Sequence, residues 1–195
     1  MIADAELKHP RAVALGGEPG WSPTGKQLAF ERFNDPGTHL KPAGKRAVFV
    51  VDTDGKPLRR LQPWSVVARL GKGLRRITAW NPSSGDFPDW SPDGERILFR
   101  TMPGGEDIQH SRGNLFTVRP NGTGIQQVTH FSSHTRILQN GSYSRDGGSI
   151  VFATNAVATN RPRGKPDLYV RRADGTGMRR LTHSPNWEDS PDWGP

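Results

Sequence analysis

The sequence contains no cysteine, and only 32% of its 195 residues are hydrophobic. Without cysteine the protein has no disulfide bond, no zinc–thiolate site and no thiol nucleophile, although this absence does not indicate a compartment. Runs of 18 apolar residues are also missing, so we expect no transmembrane helix. The opening residues lack the charged-then-apolar order of a secretory signal. The sequence therefore does not determine the cellular compartment, which is expected to be the cytoplasm if the protein begins where this sequence begins.

Glycine and proline are abundant instead, with 23 and 17 residues. This balance favours many short strands joined by tight turns over long helices, and it indicates an all-β protein. The length suits one domain or one repeat array with a core of its own. Because the formal net charge is +8, an acidic partner has to be considered.

The chain repeats a phrase built around an aromatic residue and a turn. It occurs as GWSPTG at 20–25, PDWSPDG at 88–94 and GSYSRDG at 141–147, and its opening returns as SPDW at 190–193. Ser-Pro-Asp-Gly is a tight-turn sequence, because proline presets φ at about −65° and glycine takes the positive φ that closes the turn. We therefore expect a strand on each side of every complete copy.

Two further phrases follow each copy. The second phrase ends in Asp-Gly or Asn-Gly and lies at 48–55, 115–122 and 168–175. The third phrase ends in threonine and lies at 74–78, 125–129 and 178–182. In the first unit LRRL at 58–61 nearly duplicates LRRI at 74–77, so either stretch could form the last strand. Each unit is predicted to be a four-stranded antiparallel meander with apolar residues on both faces. Such sheets need a neighbour on each face, and stacking them around an axis gives a β-propeller.

We predict a single propeller array over residues 1–195, with blades at about 17–79, 86–130 and 139–183 and the stub of a next blade at 189–195. The aromatic, glycine and phenylalanine positions that should hold the repeat together are Trp21, Trp90, Tyr143, Trp193, Gly25, Gly94, Gly147, Phe30, Phe99 and Phe152. An arc of three blades would leave an apolar sheet face bare at each end. We therefore expect either an excerpt of a longer propeller or head-to-tail self-association that closes the ring.

From about residue 17 to the end, the repeated unit resembles the WD-like repeat of TolB-type β-propellers. The resemblance rests on five motifs that follow one another in order: Pro-x-Trp-Ser-Pro-Asp-Gly, Ile-x-Phe, Leu-Tyr-Val, Asp-Gly and Arg-Leu-Thr. Thr24, Tyr143 and Arg145 depart from the family pattern. The resemblance implies a bacterial propeller, periplasmic or secreted, that commonly has six blades and docks other proteins. It also implies an alternative, because TolB-like blades form the gating domain of prolyl-oligopeptidase-type peptidases.

One face of such a propeller carries the second turns and the blade-to-blade links, and it receives the long segments of this chain. Long loops in a compact repeat protein are the usual place of binding residues. We predict a protein or peptide partner there, bound through Trp64, Trp80, Trp187, Arg46, His110, Arg112, Arg161 and Arg163. The three tryptophans lie outside the repeat's aromatic position, and exposed Trp beside Arg is typical of an interface anchor. The alternative is that each tryptophan packs against its own blade.

Carboxylates precede the aromatic position and should line the central channel. Asp86 and Asp189 stand four residues before it, and Asp89 and Asp192 stand one before it. Asp86 and Asp189 are candidate ligands for a cation site in a sugar-binding or hydrolytic propeller, but calcium needs six or more oxygen ligands. Loop capping and surface solvation are the favoured uses of these carboxylates.

Known catalytic motifs are missing, since neither G-x-S-x-G nor H-E-x-x-H occurs. We therefore predict a non-enzymatic binding module without a cofactor, and keep the peptidase propeller and the cation-dependent propeller as alternatives. Arginine pairs at 59–60, 75–76 and 179–180 fall on outermost strands, where charge guards exposed edges against pairing with other chains. Because this accounts for much of the positive charge, we expect no nucleic-acid partner, and no membrane insertion.

Overall fold

The computed structural model describes eight segments of the chain, listed here: 17–33, 46–53, 74–79, 84–101, 113–131, 138–155, 165–183 and 185–193. These segments contain twelve β-strands. Among the described residues no helix is long and apolar enough to cross a membrane. The all-β class that the abundance of turn residues predicts is confirmed.

Three four-stranded antiparallel sheets follow one another along the chain. The first sheet consists of β1 (Gly17–Trp21), β2 (Gln27–Phe33), β3 (Arg46–Asp52) and β4 (Arg75–Arg76). The second consists of β5 (Ser84–Trp90), β6 (Ile97–Thr101), β7 (Asn114–Val118) and β8 (Gln126–Gln127). The third consists of β9 (Leu138–Tyr143), β10 (Ser149–Thr154), β11 (Asp167–Arg172) and β12 (Arg179–Arg180). In each sheet the strands lie side by side in chain order, so every sheet is a meander.

The structure shows which arginine stretch of the first unit forms the outermost strand. Arg75 and Arg76 form β4, which pairs with β3 opposite Val50 and Phe49. The other stretch, at 58–61, lies outside the described residues. The third phrase of the first unit thus occupies the same place as the third phrases of the other two.

The turn between the first two strands of each sheet is held by the serine that follows the aromatic residue. Ser91 Oγ accepts the N–H of Arg96 at 2.9 Å and donates to Asp93 Oδ1 at 2.5 Å. Asp93 Oδ1 in turn accepts the N–H of Glu95 at 2.9 Å. Ser144 and Asp146 repeat this arrangement in the third sheet. Because the carboxylate is the acceptor in these bonds, they lower the pKa of both aspartates.

The first sheet has a weaker version of the same turn, since Thr24 stands in the aspartate position. Thr24 Oγ1 accepts the N–H of Lys26 at 3.4 Å and lies 3.2 Å from Ser22 Oγ. A glycine closes the turn in every sheet, with φ of 68° at Gly25, 73° at Gly94 and 72° at Gly147. This left-handed conformation explains why the last residue of the phrase does not vary.

The threonine at the end of the third phrase completes the outermost strand. Thr78, Thr129 and Thr182 each accept, through Oγ1, the backbone N–H of the residue near the start of the third strand, at 2.9 Å. The outermost strands are only two residues long, so the hydroxyl takes the place of a ladder partner that the short strand does not supply. A backbone N–H buried without such a partner would destabilise the sheet.

The core lies between the sheets. Here the forward face of a sheet is the one turned towards the next sheet in chain order, and the backward face is the opposite one. The forward face of the first sheet packs on the backward face of the second, through Ala29, Val48, Val50 and Ile77 against Trp90, Ile97, Phe99 and Val118. The forward face of the second packs on the backward face of the third, through Leu98, Leu115 and Val128 against Tyr143, Ile150, Phe152 and Tyr169. A sheet that is buried on both faces, as the second one is, is the unit of a β-propeller.

Candidate functional site

A cavity of about 360 Å³ lies where the innermost strands meet. Its wall comes from four places in the repeat: the innermost strands of the three sheets and the short segment at 190–192 that opens a fourth copy. The lining residues are Glu18, Pro19, Gly20, Phe87, Pro88, Asp89, Gly141, Ser142, Ser190, Pro191 and Asp192. Carboxylates, prolines and exposed backbone thus share one wall.

The backbone is strained at three matching points around this cavity. Glu18, Phe87 and Ser190 have φ of 50°, 51° and 47°, and each is followed by proline. A residue with a side chain rarely adopts this left-handed conformation, and a following proline makes it harder still. The conformation therefore needs support from its surroundings, which the contacts below provide.

The carboxylates of the cavity hold neighbouring sheets together. Glu18 Oε2 of the first sheet accepts the N–H of Phe87 in the second at 2.9 Å. Asp89 Oδ2 of the second accepts the N–H of Tyr143 in the third at 2.8 Å. At the next junction Ser142 Oγ donates to Asp192 Oδ1 at 2.9 Å. Two positions of the innermost strands, three residues and one residue before the aromatic residue, thus carry the contacts from unit to unit around the cavity.

One of these carboxylates, Asp89, has a pKa that is shifted in the folded protein. Burial raises its pKa, and the charge of nearby Asp192 raises it further, against the lowering by the hydrogen bonds from Tyr143 and Ser142. The ionised form of Asp89 is therefore less favoured here than in water. The cavity favours a cationic or hydrogen-bond-donating group over an anion.

The four aromatic residues of the repeat occupy two different environments. Trp90 and Tyr143 are each 6% exposed, because each packs against the preceding sheet. Trp21 and Trp193, at the two ends of the array, are 50% and 39% exposed. The phenylalanine positions Phe30, Phe99 and Phe152 are all buried.

Most of the predicted partner-binding residues lie outside the described residues. These are Trp64, Trp80, His110, Arg112, Arg161 and Arg163. Arg46 opens β3 and forms an ion pair with Glu31, its Nη1 lying 3.5 Å from Glu31 Oε2. Trp187 is 48% exposed, and its Nε1 donates to Asp189 Oδ2 at 3.1 Å. The structure thus places Trp187 at the surface and Arg46 in a contact within the first sheet.

Of the two candidate cation ligands, Asp86 and Asp189, the structure describes the side chain of Asp189. Asp189 is exposed and accepts the Trp187 indole, while Asp86 lies on β5 with its side chain outside the described residues. Among the described residues no group of three or more His, Cys, Asp or Glu side chains is arranged to hold a metal ion. Sequence reasoning missed Glu18 and Ser142, although Glu18 stands next to the repeat position of Asp86 and Ser142 occupies the repeat position of Asp89 and Asp192.

Comparison with known proteins places this architecture in a family. No protein-family model matches the sequence. Over 131 residues, 67% of this chain, the sequence is 33% identical to the Tol-Pal system protein TolB of Anaeromyxobacter dehalogenans strain 2CP-C. The crystal structure of TolB from Acinetobacter baumannii superimposes on 93% of the chain with a TM-score of 0.60 and 20% identity. The chain belongs to the TolB-like β-propeller family.

The match covers only part of the relatives. The aligned region is 26% of the A. dehalogenans protein, and the A. baumannii structure is covered over 36% of its length. The chain therefore spans about a quarter of the curated relatives it matches. The sequence resemblance and the propeller fold are confirmed, with three four-stranded sheets among the described residues.

The same blades occur in enzymes. An oligogalacturonate lyase in complex with manganese superimposes on 85% of this TolB-like chain with a TM-score of 0.56 and 12% identity. Prolyl oligopeptidase B from Galerina marginata superimposes on 82% of it with a TM-score of 0.52 and 19% identity. At such identities the likeness shows the shared fold alone.

Proposed function

We propose that this TolB-like chain is a non-enzymatic module that binds a protein or peptide partner. The observation that carries the proposal is the cavity of about 360 Å³ at which four repeat units meet. Its wall offers apolar surface at Phe87 and Pro88 together with the carboxylates of Glu18 and Asp89. Such a mixture suits a peptide segment, which presents apolar groups and backbone N–H donors together.

The partner would extend from the cavity over the face that receives the long segments. Trp187 supports this extension, because a half-exposed indole is a typical anchor of a protein interface. Arg46 is a poorer anchor, since its guanidinium already contacts Glu31. Trp64, Trp80, His110, Arg112, Arg161 and Arg163 stay predictions of the sequence for the same surface.

The curated relatives are named as Tol-Pal system proteins. A Tol-Pal component is therefore the first partner to test, and the Pal protein of the same organism is the probe. We expect calorimetry to show binding of Pal to the full chain. Trp187→Ala and Trp64→Ala should each weaken binding roughly tenfold, as loss of an interface anchor does. Ile125→Ala, which removes a 53% exposed side chain from a turn of the second sheet, is the matched control and should bind unchanged.

Two outcomes would contradict the proposal. One is that the chain binds neither Pal nor any of a set of cationic, proline-containing peptides, each tested at millimolar concentration. The other is binding that both tryptophan variants leave intact. The peptidase and lyase neighbours do not favour an enzyme, because their likeness is one of fold.

We do not favour self-association in which two copies join head to tail and close a ring. It would need the backward face of the first sheet to be open. That face carries Leu28, Phe30 and Phe49, which are 7%, 4% and 5% exposed. We therefore do not assign the partner to this end of the array.

A further inference from the structure

The turn between β7 and β8 of the second sheet contains an Asn-Gly pair, Asn121 and Gly122. Asn121 is exposed, and Gly122 has a left-handed φ of 87°. Asparagine is a thermolabile residue, and a glycine after it leaves the following backbone nitrogen unshielded by a side chain. A second Asn-Gly pair, Asn140 and Gly141, lies in strand β9. The chain therefore has two candidate sites for the chemistry of this pair.

The side chain of Asn121 is held against its own turn. Its Oδ1 accepts the N–H of Thr123 at 2.9 Å and the hydroxyl of Thr123 at 2.8 Å. Because Oδ1 reaches a residue two positions further on, the side-chain amide lies alongside the Gly122 peptide between them. The two donors also polarise the amide carbonyl and stabilise negative charge that develops on its oxygen. The turn thus activates the Asn121 amide for attack by the Gly122 nitrogen.

The Gly122 nitrogen is held by a single turn. Its N–H donates to the carbonyl oxygen of Arg119 at 2.8 Å. A bond that closes one exposed turn opens by local fluctuation at a smaller cost than a bond in a sheet. The Arg119 guanidinium folds over the same turn, since its Nη1 lies 2.6 Å from the point that a Cβ on Gly124 would occupy. Its positive charge favours the deprotonated form of a nearby peptide nitrogen.

The second Asn-Gly pair has different surroundings. Gly141 is buried in β9, which pairs with β10. A Cβ on Gly141 would lie 3.1 Å from the carbonyl oxygen of Val151 and 3.2 Å from the side chain of Leu98, so the backbone is closely packed there. Closing a ring between the Asn140 side chain and the Gly141 nitrogen requires a rotation that breaks this packing. The sheet therefore protects Asn140, while the turn exposes Asn121.

We propose that Asn121 is a site of spontaneous deamidation in the folded protein. The Gly122 nitrogen loses its proton to solvent and attacks Asn121 Cγ, and the new C–N bond closes a five-membered succinimide. The bond from Cγ to Nδ2 breaks, and Nδ2 takes up a proton from solvent and leaves as ammonia. Water then opens the ring. Attack at Cγ gives aspartate, and attack at the backbone carbonyl carbon of residue 121 gives isoaspartate.

The two products should affect the turn differently. Asp174 holds the equivalent place in the third sheet, where its Oδ1 accepts the N–H and the hydroxyl of Thr176 at 2.8 and 2.7 Å. Aspartate at position 121 should therefore keep the turn. Isoaspartate lengthens the main chain by one carbon atom, next to Pro120, whose carbonyl oxygen accepts Arg75 Nε of the first sheet at 3.0 Å. We expect the isoaspartate form to weaken this contact between the two sheets.

Incubation of the folded full chain at mildly alkaline pH, followed by peptide mapping by mass spectrometry, tests the proposal. We expect Asn121 to exchange its amide nitrogen for oxygen at least about tenfold faster than Asn140, because the sheet opens more rarely than the turn. Isoaspartyl methyltransferase should label the peptide that contains residue 121. In the chain unfolded by urea, the two sites should react at similar rates, because neither is then held by structure. This comparison separates the effect of the fold from that of the local sequence.

Variants of the threonine test the activation of the amide. Thr123→Val removes the hydroxyl that donates to Asn121 Oδ1 and should slow the reaction about threefold or more. Thr123→Ser keeps the hydroxyl and should react at about the rate of the parent chain. Thr176→Val makes the same change in the third sheet, and as the matched control it should leave the rate at Asn121 unchanged. Thermal melts show that each variant is folded during the incubation.

The effect of the product is measured on the aged protein. The isoaspartate fraction, separated by chromatography, should melt at a lower temperature than the Asn121→Asp variant, which should melt with the parent chain. Equal loss of the amide at Asn121 and Asn140 in the folded chain overturns the proposal. It is also overturned if Asn121 stays intact after the unfolded chain has reacted, or if Thr123→Val slows the reaction no more than Thr176→Val does. The cavity plays no part in this reaction, so such results leave the proposed function standing.

Discussion

The indole Nε1 of Trp90 donates a hydrogen bond to the carbonyl oxygen of Gly20, 3.1 Å away across the junction of the first and second sheets. The ring of Trp90 lies in the cluster formed by the forward face of the first sheet, and it is 6% exposed. The aromatic position of the repeat thus joins sheets in two ways, by apolar packing and by a polar bond to the neighbouring innermost strand.

Trp90→Ala should lower the free energy of unfolding by about 3–5 kcal/mol, since it leaves a large cavity between two sheets. Trp90→Phe keeps most of the ring and should cost about 1–2 kcal/mol, largely from the lost bond to Gly20. Trp187→Ala is the control on the surface, with an expected change within about 0.5 kcal/mol. Urea unfolding followed by circular dichroism measures all three, and a cost at Trp187 equal to that at Trp90 would contradict the assignment.

The threonine that ends the third phrase should matter most where it is buried. Thr129 is 0% exposed, and its Oγ1 accepts the N–H of Leu115 and donates to Asn114 Oδ1. Thr129→Val leaves these groups without the hydroxyl and should cost about 1–3 kcal/mol. Thr129→Ser keeps the hydroxyl and should cost less, about the value of one buried methyl group, roughly 1 kcal/mol. Thr182→Val, at a less buried copy, gives the internal comparison and should cost less than Thr129→Val.

The repeat made much of this fold predictable from the sequence. Each Ser-x-Asp-Gly turn is held by contacts within five residues, such as those of Ser91 with Asp93 and Arg96. Local contacts of this kind can be read from a short phrase, because they need no knowledge of the neighbouring sheet. The phrases therefore indicated the meanders and the family.

The contacts between sheets were harder to predict. Glu18 meets the N–H of Phe87 across 69 positions of the chain, and no phrase in the sequence pairs these residues. Trp21 and Trp90 stand in the same motif, yet they are 50% and 6% exposed, and among the described residues it is Trp90 that packs on the apolar face of a neighbouring sheet. Exposure at a repeat position thus depends on what lies next to the sheet, which the repeat itself does not contain.

Acid should loosen the turns of the second and third sheets before that of the first. The pKa of Asp93 and Asp146 is lowered in the folded protein, chiefly by the hydrogen bonds from Ser91 and Ser144. A lowered folded pKa gives stability that is present above the unfolded value of 3.8 and is lost as the pH falls through the folded value. The double variant Asp93→Asn and Asp146→Asn should therefore flatten the loss of stability below about pH 4.

Thr24 provides a matched test of this linkage. Thr24→Asp supplies the missing carboxylate in the first turn, so it should raise the melting temperature at pH 7 and steepen the fall in stability below pH 4. Hydrogen exchange of the Lys26 amide reports the same bond directly, and it should slow in the variant. If stability falls below pH 4 in the same way in the Asn variant, the Asp variant and the parent chain, the turns do not set the acid sensitivity.

Asp89 should act in the opposite sense and in a different pH window. Its pKa is raised in the folded protein, first by burial and then by the charge of Asp192. A raised folded pKa gives a contribution to stability that is present below the unfolded value of 3.8 and is lost as the pH rises through the folded value. Asp89→Asn should therefore become relatively more stable than the parent chain as the pH rises above about 4, provided that its amide oxygen still accepts the N–H of Tyr143.

Asp192→Asn should shift the Asp89 transition downwards, which carbon-detected NMR of the Asp89 carboxyl can follow. If the Asp89 transition stays at the same pH when Asp192 is neutral, the two carboxylates do not share one electrostatic site at the cavity.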